Sequence, residues 1–208
     1  MSYDYLFKII IIGSIYSGKS AITERITSDR FMPIYNNTIG VDFSSLLTTI
    51  NNKDRVKIHI WDTAGNESFG PIITSYYKGI AGAIIVFDVT NKDSFNKVGY
   101  WYNELIKNGN YDNTLPILLI GNKIDLKSKK VVSKEEASII ADSFGMIYCE
   151  TSAKTGENVY ESFQKLIKNI YENMDEENLG PGIKKHFSQK DKLINKQTLP
   201  QKCCCRIS

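Results

Sequence analysis

The segment GSIYSGKS, residues 13–20, follows an apolar run and opens a stretch with the apolar spacing of a helix. Its glycines let the backbone wrap closely around a phosphate, and N–H groups at a helix N-terminus provide positive potential there. In such a loop Lys19 can reach the β- and γ-phosphates, and the Ser20 hydroxyl can ligate magnesium. Chance would produce this pattern in about one chain in a hundred, before the strand and helix around it are considered. The segment predicts a nucleoside triphosphate site without choosing the base.

Apolar runs alternate with helix-length segments along the rest of the chain. Ser94, Ser133 and Thr155 stand where helix starts favour a hydroxyl cap. Strands are predicted at 5–12, 42–51, 55–61, 82–89, 115–121 and 146–150, and helices at 19–28, 94–108, 134–143 and 157–174. Strands that alternate with helices predict an α/β fold: a mostly parallel six-stranded sheet with one antiparallel strand and helices on both faces. Ligands of such sheets bind at the carboxyl ends of the strands.

The charge of the chain is unevenly distributed. Residues 179–208 have a net charge of +6, whereas residues 1–178 have a net charge of −3. A basic appendage on an acidic body argues against a nucleic-acid-binding domain. We therefore predict a folded domain over 1–175 and a flexible basic tail over 176–208. No signal peptide or disulfide framework is expected, since three of the four cysteines are adjacent near the end of the chain.

Two segments after the predicted fifth and sixth strands point to guanine. In NKID, residues 122–125, the Asp125 carboxylate can accept hydrogen bonds from N1–H and the exocyclic amine of guanine. Adenine lacks this donor pair and would leave Asp125 unpaired, at a cost of a few kcal/mol. The segment ETSAK, residues 150–154, can add backbone donors to the guanine oxygen. The tetrapeptide alone is also compatible with a helix or turn cap, but the two segments in this order indicate a guanine site.

The segment WDTAG, residues 61–65, ends the predicted third strand. An aspartate at a strand end can hold magnesium through water, and Gly65 can offer its N–H to a γ-phosphate. A simple strand-ending turn would explain the segment if the phosphate loop were absent.

These four motifs, with a fifth at Thr38, follow along the chain in the order of the small GTPases of the Ras superfamily. The chain resembles these proteins, which are phosphate-loop NTPases with a small G domain, over residues 5–175. The chain looks most like the Rab branch, through the segments IGVDF (39–43), KIHIWDTAG (57–65), YYKG (76–79) and IVFDVT (85–90). The resemblance implies that Thr38 completes the magnesium shell in the GTP state, that Phe31 packs on guanine and that Tyr35 covers the phosphates. It also implies an apolar effector surface formed by Phe43, Trp61 and Tyr76.

The resemblance implies a guanine-nucleotide switch that uses Mg²⁺ and GTP/GDP and regulates vesicle traffic. Expected partners are exchange factors, activating proteins, effectors and a GDP-dissociation inhibitor, and the expected location is the cytoplasmic face of a membrane with cycling through the cytosol. Hydrolysis is assigned to Lys19, Thr38, Gly65 and Asn66. The predicted nucleotide contacts are Gly13, Ser17, Gly18, Lys19, Ser20, Ala21, Phe31, Tyr35, Thr38, Asp62, Gly65, Asn122, Lys123, Asp125, Ser152, Ala153 and Lys154, with Ser20, Thr38 and Asp62 at the metal.

Two departures from the family fall on hydrolysis. Asn66 stands where most relatives have a glutamine that orients the attacking water. Its amide is shorter by one methylene, so the water would lie about 1 Å out of place, which can reduce the rate about a hundredfold. Ile15 replaces the Ser or Gly of relatives and would crowd the γ-phosphate; Tyr16 and Ser68 also differ. Slow intrinsic hydrolysis is therefore expected, although Rab activating proteins can supply both Arg and Gln.

The end of the chain is KCCCRIS, residues 202–208. The last four residues, from Cys205, fit a prenylation box whose final Ser favours farnesyl. The adjacent Cys203, Cys204 and Cys205 equally suit double geranylgeranylation, or palmitoylation of the first two. Two lipid chains, or one with a basic tail, anchor a protein stably, and each lysine adds about 1 kcal/mol near an anionic leaflet. An unmodified solvated tail is the alternative.

Three functional hypotheses remain. The first is a cycling switch enzyme, in which GTP orders Thr38 and Gly65 and hydrolysis releases them. The second is a GTP-locked binding module that hardly hydrolyses, which Asn66 and Ile15 favour. The third is a phosphate-loop kinase or ATPase, against which Asp125 argues directly.

Overall fold

The computed structural model describes residues 2–33, 38–65, 73–109, 111, 114–175, 177 and 179–186. Its strands are β1 (Tyr5–Ile12), β2 (Val41–Ile50), β3 (Asp54–Thr63), β4 (Gly82–Asp88), β5 (Ile117–Asn122), β6 (Ile147–Thr151) and β7 (Ile183–Lys185). The described helices are α1 (Lys19–Ser28), α2 (Lys92–Asn96), α3 (Val98–Gly109), α4 (Lys134–Ser143) and α5 (Val159–Glu172). No helix within these ranges is long and apolar enough to cross a bilayer.

The strands form one sheet in the order β2-β3-β1-β4-β5-β6, with β7 beside β1. Strands β3, β1, β4, β5 and β6 run parallel, and β2 pairs antiparallel with β3 through the hairpin at residues 51–53. The predicted α/β class and mostly parallel sheet are confirmed. Both faces of the central strands are buried, which explains why β4 has no exposed residue and no polar alternation.

Two clusters of buried side chains lie on the two faces of the sheet. One includes Phe7, Ile9 and Ile11 of β1 with Phe163 and Leu166 of α5. The other includes Ile10 and Ile12 of β1 with Trp101 and Leu105 of α3. Because neighbouring residues of β1 point to opposite faces, this one strand contributes to both clusters and places the loop at residues 13–18 firmly at the end of the sheet.

The sheet has a seventh strand that the sequence analysis did not predict. Residues 183–185, assigned there to a flexible tail, pair antiparallel with Tyr5–Phe7 of β1. Gly182 allows this approach: it has φ +76°, its carbonyl accepts a hydrogen bond from Lys8 N (2.9 Å), and a Cβ there would lie 2.3 Å from Ala81 N. The side chain of Ile183 packs against the core. A strand of three residues is too short to be recognised by periodicity, which is why the prediction missed it.

Helix starts differ from the prediction at two places. The helix predicted over 94–108 is two helices, and Asn91 rather than Ser94 caps the first, because Asn91 Oδ1 accepts from Ser94 N (3.1 Å). Thr155 lies in a turn before α5 and accepts from Glu157 N, whereas α5 begins after Asn158. Ser133 does cap α4, with its hydroxyl accepting from Glu136 N at 3.1 Å.

Candidate functional site

The predicted phosphate loop connects β1 to α1, and its lysine is held at the mouth of the loop. Lys19 is 5% exposed, and its Nζ donates to the carbonyls of Gly13 and Ser14, both at 3.0 Å. A buried ammonium at the mouth of this loop is suited to an anionic ligand, because it can donate charge-assisted hydrogen bonds to phosphate oxygens. The structure thus places the lysine where the sequence analysis expected it.

Gly18 is the residue through which the loop meets the predicted base site. It precedes α1 with φ +96°, and a Cβ at this position would lie 2.3 Å from Asn122 Nδ2. Asn122 Nδ2 donates to the carbonyl of Ser17 at 2.9 Å. The close approach and the left-handed backbone both require glycine here. The phosphate loop and the end of β5 are therefore one unit.

Asn122 also joins β5 to the loop after β6. Its Oδ1 accepts from the backbone N of Ala153 (3.1 Å) and from Thr151 Oγ1 (3.3 Å). Each such bond contributes about 1 kcal/mol, and the buried amide would be costly if left unpaired. One side chain thereby holds three loops that are far apart in sequence. Its role is to position these loops.

The carboxylate predicted to read the base is held in place by a hydroxyl. Ser152 Oγ donates to Asp125 Oδ1 at 2.6 Å. Ser152 Oγ itself accepts a hydrogen bond from Thr155 N. Lys123, with φ +73°, forms an ion pair with Asp88 at 2.7 Å. These contacts orient Asp125 before any ligand arrives, which lowers the ordering cost of binding.

A cavity of about 270 Å³ lies beside Asp125. Sites for whole ligands usually measure about 300–1,000 Å³, so this volume suits one part of a nucleotide, the base. Eight predicted contacts line it: Gly18, Ala21, Phe31, Asn122, Lys123, Asp125, Ala153 and Lys154. Leu126 also lines it and was not predicted. A larger cavity of about 670 Å³, near Pro116 and Pro181, contains none of the predicted site residues.

Arg25 is a further residue of this site that the sequence analysis missed. Its Nε donates to the carbonyl of Ala153 (3.1 Å) and its Nη2 to that of Lys154 (3.0 Å), while Nη1 pairs with Asp29. Its planar fork therefore holds the loop that closes the cavity. An arginine within a helix carries no sequence signal for this role, because its partners lie more than 120 residues away.

The three predicted metal ligands come from separate elements and converge. Ser20 Oγ lies 2.9 Å from Thr38 Oγ1. Asp62, 3% exposed at the end of β3, has a buried Oδ1 without a hydrogen-bond partner within the described part of the chain. Burial raises the pKa of Asp62 to about 6; the Ser20 hydrogen bond and the Lys19 charge lower it, and the Asp42 charge raises it. Two hydroxyls and an unsatisfied carboxylate are oxygen donors of the kind that magnesium prefers, so these residues fit the ion.

No group of three or more His, Cys, Asp or Glu suited to a metal occurs within the described residues. The candidate magnesium site agrees with this finding, because it contains only one carboxylate. Magnesium in nucleotide sites is held by few protein groups together with phosphates and water.

Gly65 lies directly against the phosphate loop. A Cβ there would lie 2.4 Å from Lys19 Nζ and 2.5 Å from Ile15 N. Ile15 itself is 41% exposed. Gly65 is predicted to contact a γ-phosphate through its backbone, and Ile15 is predicted to crowd that phosphate. The two residues are therefore neighbours in the structure. Tyr35, Asn66 and Ser68 lie outside the described residues, so their predicted roles stay predictions.

Ser17 and Ser14 show how the phosphate loop is packed. Ser17 is fully buried, and its Oγ has no hydrogen-bond partner within the described residues. Its backbone N–H donates to the carbonyl of Ser14 at 3.3 Å, and its carbonyl accepts from Asn122. Ser14 Oγ accepts a bond of 3.4 Å from Trp101 Nε1 of α3. Side chains of α3 and of the end of β5 therefore hold the loop through these hydrogen bonds.

The aromatic residues predicted to form an effector surface are in contact. The ring centroids of Phe43 and Trp61 are 5.0 Å apart, and so are those of Trp61 and Tyr76. Phe43 is exposed, and Trp61 and Tyr76 are half-buried. His59 extends this row, with its ring 4.9 Å from that of Phe43. These rings form a continuous surface beside the candidate magnesium site.

Comparison with protein-family models gives a match that covers most of the chain. The model described as the Ras family matches residues 8–172. This range contains every described residue of the phosphate loop, the candidate magnesium site, the base cavity and the aromatic row.

Proposed function

The chain belongs to the Ras family, whose members are GTP-binding molecular switches, and from this premise we propose that it regulates membrane traffic as a Rab-like GTPase. The observation that carries the nucleotide assignment is the cavity beside Asp125, with the carboxylate oriented by Ser152 at 2.6 Å. A preset carboxylate favours guanine, which offers two donors to it, over adenine. The kinase or ATPase alternative has no comparable support.

The proposed switch depends on Thr38 and Gly65. Thr38 contacts Ser20 at 2.9 Å, and Gly65 packs against Lys19 and Ile15, so both segments reach the place where a γ-phosphate would lie. When bound, magnesium supplies positive charge that bridges the phosphates. Loss of the γ-phosphate would remove the ligand that joins these two segments and would separate them. The aromatic row beside them would then change its exposure to effectors.

We infer that intrinsic hydrolysis is slow. The backbone of Ile15 lies against Gly65 in the loop that would surround the γ-phosphate, and its branched side chain is 41% exposed. The amide of Asn66 is one methylene shorter than that of the family's glutamine, and a displacement of about 1 Å in the attacking water can reduce the rate about a hundredfold. Lys19 would stabilise negative charge on the phosphates, and the Gly65 N–H would donate a hydrogen bond to an oxygen on which negative charge develops.

The second candidate function is a GTP-locked module that occupies effectors and hardly cycles. Ile15 favours it, because its backbone lies against Gly65 and its apolar side chain, 41% exposed, would compete with an inserted arginine for space. The two functions differ in whether an activating protein restores turnover, since Rab activators can supply both Arg and Gln.

The location and partners complete the proposal. We propose that Cys203, Cys204 and Cys205, which lie outside the described residues, carry lipids, and that the basic tail adds attraction to an anionic leaflet. The protein would act on the cytoplasmic face of a membrane and cycle through the cytosol on a GDP-dissociation inhibitor. Exchange factors, activating proteins and effectors would be its other partners. No nucleic acid is proposed among them, because residues 1–178 have a net charge of −3 and the net positive charge belongs to residues 179–208.

The proposal is tested by extracting the nucleotide from purified protein, identifying it by chromatography and following its γ-phosphate over hours. GTP that converts slowly to GDP supports the switch. GTP that persists after an activating protein is added supports the locked module. Adenine nucleotide, or no nucleotide in the presence of magnesium, contradicts both.

A further inference from the structure

One face of the sheet, below the aromatic row, carries basic groups. In β3, Val56, Ile58 and Ile60 are buried in the core against α1, and the alternate residues Lys57 and His59 point to the other face and are half-buried. Lys8 of β1 and Lys184 of β7 lie on this same face by register. We call Lys8, Lys57, His59 and Lys184 the basic face.

The strand register places these four groups in two adjacent rows. Leu6 of β1 pairs with Lys57 on one side and with Lys184 on the other. Lys8, two residues further along β1, pairs with His59. Paired residues project to the same face of a sheet, and strands lie about 4.8 Å apart, so Lys57 and Lys184 are about 10 Å apart across β1. Strand β7 therefore completes the basic face.

Aromatic rings hold two of these lysines. Lys8 Nζ lies 5.5 Å from the Trp61 ring centroid and donates to the carbonyl of Lys78 at 2.9 Å. Lys57 Nζ lies 5.7 Å from the ring centroid of Tyr3. Cation–π contacts of this kind contribute about 0.5–1 kcal/mol at exposed sites. The charges thus have defined positions and continue directly from the aromatic row.

The positive charge of this face is not balanced from within the described chain. None of the ion pairs between described residues includes Lys8, Lys57 or Lys184. The nearby carboxylates of Asp4 and Asp42 accept hydrogen bonds from backbone N–H groups of Arg55 and Phe43. The pKa of His59 is lowered by burial and by the charges of Lys57 and Lys184, which agrees with uncompensated positive potential.

We propose that the basic face binds an acidic amphipathic helix of a protein partner, so that recognition requires β7. This inference rests on the proposed switch function and specifies the chemistry of one partner. Carboxylates at positions i and i+7 of a helix are about 10.5 Å apart along its axis, which matches the separation of Lys57 and Lys184. Apolar residues between these carboxylates would contact Leu6, which lies between Lys57 and Lys184 by register.

A helix fits this face better than a lipid surface does. Mobile lysines on the surface are sufficient for attraction to a fluid lipid leaflet. Lys8 and Lys57, in contrast, are half-buried, and their ammonium groups lie over the aromatic rings of Trp61 and Tyr3. Fixed charges at defined spacing favour a partner with fixed charges of its own. The membrane is the competing occupant and is one outcome of the test.

The test uses the full chain loaded with a non-hydrolysable GTP analogue. The probe is a synthetic 18-residue helical peptide with Glu at two positions seven apart and Leu between them on the same face; its control has Gln in place of Glu. Binding is measured by fluorescence anisotropy at low and physiological salt. We expect the Glu peptide to bind more tightly than the Gln peptide, and increasing salt to weaken that binding.

Lys184 and Lys185 provide matched variants, because adjacent strand residues point to opposite faces. Lys185 Nζ lies 5.6 Å from the ring centroid of Tyr5 on the other side of the sheet. Lys184→Glu should weaken peptide binding about fivefold or more, and Lys185→Glu less than twofold. Lys57 lies in β3, so its position does not depend on β7. Lys57→Glu should weaken peptide binding by about the same factor as Lys184→Glu.

Equal effects of the two neighbouring variants, or equal binding of both peptides, would overturn the inference. So would a pattern in which Lys184→Glu and Lys57→Glu impair binding to vesicles of phosphatidylcholine and phosphatidylserine (7:3) but not to the peptide. Binding of fluorescent GDP to the same preparations is the second readout. A chain that binds GDP but not the peptide contradicts only this inference, whereas one that binds no guanine nucleotide contradicts the proposed function.

Discussion

Ser20 Oγ and Thr38 Oγ1 lie 2.9 Å apart, although the two residues are 18 positions apart in the sequence. Ser20 is fixed in the first turn of α1, whereas Thr38 precedes β2 outside any helix or strand. The pair therefore joins a rigid element to a segment that can move. This relationship is the structural basis of the proposed switch.

Thr38→Ala should selectively weaken the GTP-bound state. A hydrogen bond or ligand contact to a charged group contributes about 1.5–3 kcal/mol, so magnesium affinity with a GTP analogue should fall about 10- to 100-fold. Affinity for GDP should change less than threefold. Magnesium titrations that follow the release of fluorescent nucleotide measure both. Thr38→Ser retains the hydroxyl and should behave as wild type; failure of this rescue would contradict a ligand role.

Asp125→Asn should change base preference. The amide can no longer accept two hydrogen bonds from guanine, and its NH₂ group would face the N1–H and amine donors. Guanine affinity should fall at least about a hundredfold. Xanthine nucleotide, which has a carbonyl in place of the exocyclic amine, should gain affinity. Competition between GDP and xanthosine diphosphate measures the change, and unchanged preference would show that Asp125 does not contact the base.

Gly18→Ala should reduce both stability and nucleotide affinity. Its Cβ would displace Asn122, which holds three loops together, and φ +96° adds strain. Gly145→Ala is the matched control, because Gly145 has φ +66° but no atom within 4 Å of its Cβ. The control should lose about 1–2 kcal/mol, or about 2–8 °C in Tm, without a change in affinity. Equal losses in the two variants would show that strain alone acts at Gly18.

Asn66→Gln should raise intrinsic hydrolysis about 10- to 100-fold, because the longer amide can reach the attacking water. Single-turnover release of phosphate from preloaded GTP measures the rate. GDP affinity is the internal control and should not change. A rate equal to that of the wild type would contradict the assignment of slow hydrolysis to Asn66.

Ile15→Ser should raise the rate in the presence of an activating protein more than the intrinsic rate. The isoleucine adjoins Gly65, where an inserted arginine would need space. Tyr16→Ser, at the neighbouring exposed position with 70% exposure, controls for the general effect of a polar residue in the loop. Equal stimulation of both variants would argue against crowding by Ile15.

Local motifs were predictable from the sequence, whereas their connections were not. The segments at 13–20 and 122–125 can be recognised in the sequence, because each places residues with a known nucleotide-binding role directly after a predicted strand: glycines and Lys19 in the first, Asp125 in the second. The hydrogen bond from Asn122 to Ser17, in contrast, joins positions 105 residues apart. Arg25 and Leu126 were missed for the same reason, since an arginine in a helix and a leucine after a turn have many possible roles. Strand β7 depends on the space beside β1, which no local pattern reveals.

The attachment of β7 to β1 would also determine how far the proposed lipid anchor can lie from the domain. Sixteen residues, 187–202, separate His186 from the first cysteine of the tail; even fully extended this stretch spans at most about 60 Å. Were the chain released from Asn173 onward, thirty-one residues would span at most about 110 Å. The shorter tether raises the effective concentration of the domain at a membrane-bound regulator about two- to threefold. Pairing of three residues with a sheet thus becomes a means of setting encounter frequency at the membrane.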